Sequence, residues 1–206
     1  WFLWMSFPDP HHPWDPPASE LHRCPWRDLD LPDFYPGSPE KIVELLDRKP
    51  RHWREWDEGK GQFNYEVPPL FRPNTLTPDQ VREVNAMVHI SNELIDEACG
   101  RVLDRIDARG WGQDTDVFYT TDHGEMQGEF GLLFKGPYHV DALMRVPMIW
   151  RPAPSAGVTP SAVADPVGHL DLAPTFCQVA GVSTDSRMEG APLPQGAGSG
   201  RERALT

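Results

Sequence analysis

At 206 residues the chain is long enough for one domain, or one domain with an appendage; 39% hydrophobic content, a mean hydropathy of −0.52 and 23 prolines mark much irregular backbone. A net charge of −12 argues against nucleic acid or an anionic membrane as the main partner, but a bound cation or a few placed Lys, Arg and His still allow an anionic substrate. No apolar run approaches the ~20 residues needed to cross a membrane, and the odd count of three cysteines (Cys24, Cys99, Cys177) implies neither a disulfide framework nor metal spacing.

The chain opens on Trp1 with no initiator Met, basic leader or cleavage signal, as expected of a segment cut from something longer. Residues 1–7 (WFLWMSF) are almost wholly apolar and predict a strand buried on both faces of a parallel sheet. Residues 8–17 (PDPHHPWDPP) form a stiff, extended loop. Placed after a strand, it would carry His11 and His12 to the sheet edge; a surface loop with two incidental histidines is the other reading.

Residues 18–76 carry one clear signal. Ser38-Pro39, an N-cap followed by proline at the first helical position, predicts a helix over 40–49. Beyond it the Trp-, Arg- and Pro-rich stretch has no clear periodicity and reads as an irregular excursion covering the site, where specificity usually resides.

Thr77-Pro78-Asp79-Gln80 has the capping-box spacing. Val81, Val84, Met87, Val88, Leu94, Ile95, Ala98, Val102 and Ile106 then recur mostly three or four apart. They predict one long amphipathic helix that Gly closes near Arg109-Gly110. This segment is scaffold.

Residues 116–121 predict a strand, and 144–150 (MRVPMIW) a second that Pro147 confines to an edge or a bulge. Residues 170–180 predict a helix with Asp171 near its start and Gly181 at its end, and 185–206 an irregular or truncated tail. The alternation predicts an α/β sandwich.

Chemistry gathers in residues 119–138 (YTTDHGEMQGEFGLLFKGPY). Asp122 and His123 leave a strand side by side, and on a tight turn both can face one ion. A carboxylate plus an imidazole suits Mn²⁺, Mg²⁺, Zn²⁺ or Ca²⁺. A turn in which Asp122 caps the loop and His123 hydrogen-bonds locally accounts for the same triplet. Lys135, beyond Gly124, Gly128 and Gly131, changes the balance. Metal on one oxygen and ammonium on another suits a tetrahedral oxyanion. His11 or His12 would add a third contact, or protonate a leaving group near neutral pH. Such a set would hydrolyse a sulfate or phosphate ester.

These residues resemble the sulfatase family of the alkaline-phosphatase-like superfamily. TTDHGEMQGEFGLLFKGPY followed by RVPMIWR resembles its S/T-D-H-G-E…G…KG…Y block and R-V-P strand. His11-His12-Pro13 resembles its H-x-P substrate loop. Residues 95–125 and 167–182 resemble the helix leading into the metal strand and the V-x-H-x-D-L-x-P-T segment.

The resemblance implies part of an alkaline-phosphatase-like three-layer α/β/α sandwich with a mostly parallel sheet, and makes residues 1–206 the C-terminal part of a sulfatase catalytic domain. It implies Asp122 and His123 as ligands of one divalent cation (Ca, Mg or Mn). Lys135 and His11, with His12 beside them, would bind the sulfate or phosphonate oxygens and assist the leaving group. Many sulfatases carry Asn where this chain has His123; the His form is common in members resembling phosphonate monoester hydrolases. His169 and Asp171 are expected to be structural.

The resemblance also implies a formylglycine nucleophile, made in a Cys/Ser-x-Pro-x-Arg pattern, and a pair of acidic metal ligands, all expected upstream of Trp1. Cys24-Pro25-Trp26-Arg27 has the wrong spacing, and Cys99 and Cys177 fall on helices. The implied activity of the parent protein is hydrolysis of a small-molecule or glycan sulfate ester, with this segment inactive alone. The alternatives are a phosphonate monoester or phosphodiester hydrolase on the same scaffold, or a non-catalytic relic or binding module.

Overall fold

The computed structural model describes residues 1–60 and 72–194. In chain order its elements are α1 (Pro39–Leu46), α2 (Arg51–Asp57), α3 (Pro78–Ala108), β1 (Val117–Thr120), β2 (Met126–Gln127), β3 (Leu133–Phe134), α4 (Asp141–Met144), β4 (Met148–Arg151) and α5 (Leu172–Val179), with short 3-10 turns between them. They fall into two compact units, Trp1–Asp104 with His123–Arg145, and Arg105–Asp122 with Val146–Thr206. No described helix is long and apolar enough to cross a membrane.

In the first unit, Ser38 caps α1 by accepting from the Lys41 amide, as the Ser-Pro pair predicts. The helix buries Ile42 and Leu46. The stretch after it is not irregular. Pro50 opens α2, whose Trp53 and Trp56 sit one turn apart and are both buried. Two large rings three residues apart are too few to register as a period, which is why this helix is not legible in the sequence. Residues 18–76, expected as an irregular excursion, thus supply much of a core; residues 61–71 lie outside the described residues.

That core closes over a short hairpin. β2 pairs antiparallel with β3, Met126 opposite Phe134 and Gln127 opposite Leu133. Met126, Leu132, Leu133 and Phe134 are all buried against Ile42, Leu46, Trp53, Trp56 and Tyr138. Burying each such side chain contributes about 1.5–3 kcal/mol. Trp56 Nε1 donates to the Leu133 carbonyl at 3.2 Å, tying α2 to β3. The tip is held by the Gly128 amide donating to the Leu132 carbonyl and the Gln127 amide to Glu129 Oε2.

The capping box forms: the Thr77 amide donates to Gln80 Oε1 at 2.9 Å and the Gln80 amide to Thr77 Oγ1 at 3.2 Å. α3 runs 31 residues from there. Gly110, at φ +73, closes it where predicted, with the Trp111 amide reaching back to the Ile106 carbonyl.

Residues 1–7 correct the sequence reading. They form no strand, and Trp1, Phe2, Leu3, Trp4 and Met5 are exposed. A strand needs a paired ladder, and both ladders among the described residues are made by other segments.

In the second unit, β1 pairs antiparallel with β4, from Val117 opposite Arg151 to Thr120 opposite Met148. Pro147 lies just before β4, where a missing amide costs no ladder bond. Parallel pairing, expected from the sequence, does not occur among the described residues. It needs a crossover between neighbouring strands, whereas both neighbours here run in opposite senses. Phe118 stacks on Trp150 at 5.2 Å and meets the edge of Phe176 from α5 at 4.9 Å, and Trp150 Nε1 donates to Asp116 at 2.8 Å. α5 begins two residues later than predicted, after a 3-10 turn over His169–Asp171. The tail is irregular as far as it is described, yet anchored: the Ala191 amide donates to Asp171 Oδ1 and the Leu193 amide to Thr175 Oγ1.

Candidate anion-binding site

Glu125 immediately precedes β2 and Lys135 immediately follows β3, so the hairpin register sets them opposite one another at its open end. Lys135 Nζ donates to Glu125 Oε2 at 3.3 Å. It also lies 2.9 Å from His11 Nε2, a residue 124 positions away. His11 Nδ1 is 2.7 Å from the His12 carbonyl. A carbonyl only accepts, so Nδ1 carries the proton and Nε2 presents its lone pair to the Lys135 ammonium.

The backbone that aims Lys135 is strained. Phe134 sits in the left-handed region at φ +72, which costs a bulky residue about 1–2 kcal/mol. Its ring holds it there, buried, stacked on Trp14 at 5.0 Å and met edge-on by His12 at 4.8 Å. His12 in turn stacks on His11 at 4.2 Å. The Pro-rich loop and the hairpin therefore lock together through His12 and Phe134, and that packing sets His11 beside Lys135. Both His12 ring nitrogens are shielded from solvent. His12 supports His11 from behind.

Gly124 must be glycine. A Cβ there would stand 1.8 Å from the Ala142 carbonyl oxygen, and the Gly124 amide donates to the Leu143 carbonyl at 2.9 Å. This contact anchors the start of the loop beneath α4.

Burial pushes the Glu125 carboxyl above the ordinary carboxylate range, and the Lys135 ammonium pulls it back. Its second oxygen, Oε1, is buried without a hydrogen-bond partner among the described residues. Glu125 was not singled out in the sequence. The readable signal was its place in the D-H-G-E run together with a hairpin register that Gly128 and Gly131 disguise as a loop.

His123 is exposed and its Nδ1 lies 2.8 Å from the Gly124 carbonyl. Nδ1 therefore donates and Nε2 is left as the basic nitrogen, the tautomer of metal-bound histidines whose other nitrogen donates to a backbone carbonyl. Asp122, at the end of the second unit, is exposed and accepts from Thr121 Oγ1 at 3.2 Å. An imidazole in this tautomer suits a divalent cation. Among the described residues, no three His, Cys, Asp or Glu side chains gather as a metal-binding group.

His169 and Asp171 work as braces. His169 Nε2 lies 2.7 Å from the Thr121 carbonyl, at the end of β1. Asp171 is buried and accepts from the Gly168 and Ala191 amides at 2.9 and 3.0 Å.

A family model described as Sulfatase matches residues 1–182. The chain belongs to the sulfatase family. Among curated relatives, the uncharacterized sulfatase YidJ of Escherichia coli (strain K12) is 29% identical over 90% of this chain and 33% of its own length. The choline-sulfatase of Rhizobium meliloti (strain 1021) is 27% identical over 90% of this chain and 32% of its own. The crystal structure of the phosphonate monoester hydrolase of Agrobacterium radiobacter superposes with a TM-score of 0.73 at 22% identity, over 90% of this chain and 36% of that one. That likeness shows a shared fold over the superposed residues. The chain spans about a third of the length of the curated relatives it matches.

Proposed function

We propose that this chain is the anion-binding part of a sulfuric-ester hydrolase, completed by residues outside it into a three-layer sandwich with a mostly parallel sheet. The observation that carries the reading is the 2.9 Å approach of Lys135 Nζ to His11 Nε2, between residues that the family resemblance pairs at the sulfate. The ammonium would bind one ester oxygen. The His11 imidazole, fixed at Nδ1 by the His12 carbonyl, would keep Nε2 facing the same group, take a proton there from the Lys135 ammonium it meets at 2.9 Å, and pass it to the leaving oxygen. The kinship with a choline-sulfatase supports a sulfate ester, of a small molecule or glycan, as substrate.

Asp122 and His123 would hold one divalent cation (Ca, Mg or Mn), with further ligands from outside the described residues. When bound, that cation would polarise the ester oxygen as a Lewis acid. The nucleophile is placed outside the chain, because none of its cysteines or serines stands in a Cys/Ser-x-Pro-x-Arg pattern. Within this chain, Lys135, His11 and the packing of His12 on Phe134 bind and orient the ester.

His123 supports a second reading, a phosphonate monoester or phosphodiester hydrolase, since the family resemblance associates His at this position with such members. Rates on an aryl sulfate and an aryl phosphonate by the full-length protein separate the two. Sulfate turnover that is faster and lost in Lys135→Ala supports the first. Faster phosphonate turnover supports the second, and no hydrolysis of either supports a binding module.

A further inference from the structure

A carboxylate inside a site meant for anions calls for an explanation. Glu125 faces Lys135 across the open end of the β2–β3 hairpin, 3.3 Å from its ammonium, and both side chains are largely buried. Its own Oε1 is sealed from solvent, so the charge is poorly screened by water. Lys135 and Glu125 together sum to zero charge, and His11 presents a lone pair rather than a second cation. An oxyanion that takes the Lys135 ammonium must therefore bind beside the carboxylate that pairs with it.

We propose that Glu125 is a specificity-determining residue that biases this site toward singly charged oxyanions, such as sulfate monoesters, and against doubly charged ones, such as phosphate monoesters. The inference rests on the anion-site reading above. The physical reason is a difference in charge at equal shape. Sulfate and phosphate monoesters are nearly isosteric, so contacts with Lys135 and His11 distinguish them poorly. Repulsion from Glu125 acts once on the monoanion and twice on the dianion, whatever charge other groups add. At the separations of a shared ammonium, one extra unit of repulsion corresponds to between about tenfold and a hundredfold in affinity. The carboxylate also holds Lys135 against His11, so the ammonium stays ordered when no substrate is bound.

The test is calorimetric binding of methyl sulfate and methyl phosphate to the full-length protein, well above the second phosphoryl pKa of about 6. The ratio of the two affinities in wild type is the reference. Glu125→Gln, which keeps the shape and removes the charge, should improve methyl phosphate relative to methyl sulfate by about tenfold or more. Glu125→Asp, which keeps the charge, should retain the wild-type preference. Lys135→Ala should weaken both ligands. An unchanged ratio in Glu125→Gln, with Lys135→Ala still weakening both, overturns this inference and leaves the anion site standing. Binding of both ligands that is indifferent to Lys135→Ala, or no binding by wild type, overturns the anion site and this inference with it.

Discussion

Lys135 Nζ and His11 Nε2 lie 2.9 Å apart although 124 residues separate them in the chain. The contact depends on two turns of backbone that have little to do with either residue. One is the Pro-rich loop that stacks His12 on His11, and the other is the left-handed Phe134 that redirects the chain just before Lys135.

The pair should act together. In the full-length protein, Lys135→Ala and His11→Ala are each expected to lower kcat/KM on an aryl sulfate by about a hundredfold or more. The double variant should lose much less than the product of the two, because both groups serve one bound ester. Strict additivity would place them in separate sites.

Phe134→Gly sets two effects against each other. Glycine relieves about 1–2 kcal/mol of left-handed strain. It also deletes a buried ring stacked on Trp14, and losing a buried Phe typically costs about 3–5 kcal/mol. Packing outweighs strain, so the variant is expected to be destabilised by about 1–4 kcal/mol in urea unfolding. A variant as stable as wild type would show that the ring does not hold the turn.

Gly124→Ala tests the loop's anchor. With the Ala142 oxygen 1.8 Å from the new Cβ, the backbone must move, and the Gly124–Leu143 hydrogen bond goes with it. The expected loss is about 1–3 kcal/mol, read from the shift in denaturation midpoint. Because the shift starts at the residue after His123, the proposed metal ligand, divalent-metal affinity of the full-length protein should fall as well.

Much of this architecture is legible in the sequence, and the exceptions share a cause. Signals that are complete within a few residues hold: Ser38-Pro39, the Thr77–Gln80 box and Gly110 each form the contact their spacing implies. Signals that need a distant partner do not. Residues 1–7 have the composition of a buried strand, but a strand exists only by pairing, and pairing is not written in its own residues. The β2–β3 hairpin fails for the opposite reason. With only two residues in each strand it has no alternation to read, and its stability comes from α1 and α2 packing over it. Missing the hairpin meant missing Glu125, whose place opposite Lys135 is a matter of register.

Asp57 should give the protein a measurable pH dependence. It is buried in α2; Arg54 donates to Oδ2 at 3.1 Å, while Oδ1 has no partner among the described residues. Burial raises its carboxyl above the ordinary 3.8, with Arg54 opposing. A raised native value means that folding favours the protonated form. Its stabilising share is therefore present below about 3.8 and is lost as pH rises through the native value. Asp57→Asn cannot ionise, so wild type should lose stability relative to this variant as pH rises from about 3 toward neutrality. Urea midpoints of both proteins across that range are the measurement, and a gap that moves in wild type's favour would contradict it.

The last prediction concerns the chain by itself. Asp122 and His123 are the two donors proposed within this chain, and among the described residues no three His, Cys, Asp or Glu side chains gather as a metal-binding group. Structural metal sites take four or more donors, and each missing donor removes affinity. The side chains of Trp1, Phe2, Leu3 and Trp4 are also exposed, and under the proposed function they would be covered by the completed sheet. The purified 206-residue chain is accordingly expected to bind Ca²⁺ or Mn²⁺ weakly and to show no turnover of an aryl sulfate. Supplying the upstream residues should restore both together, tight metal binding by calorimetry and hydrolysis by release of the phenol. Turnover by the 206-residue chain alone would place the nucleophile inside it.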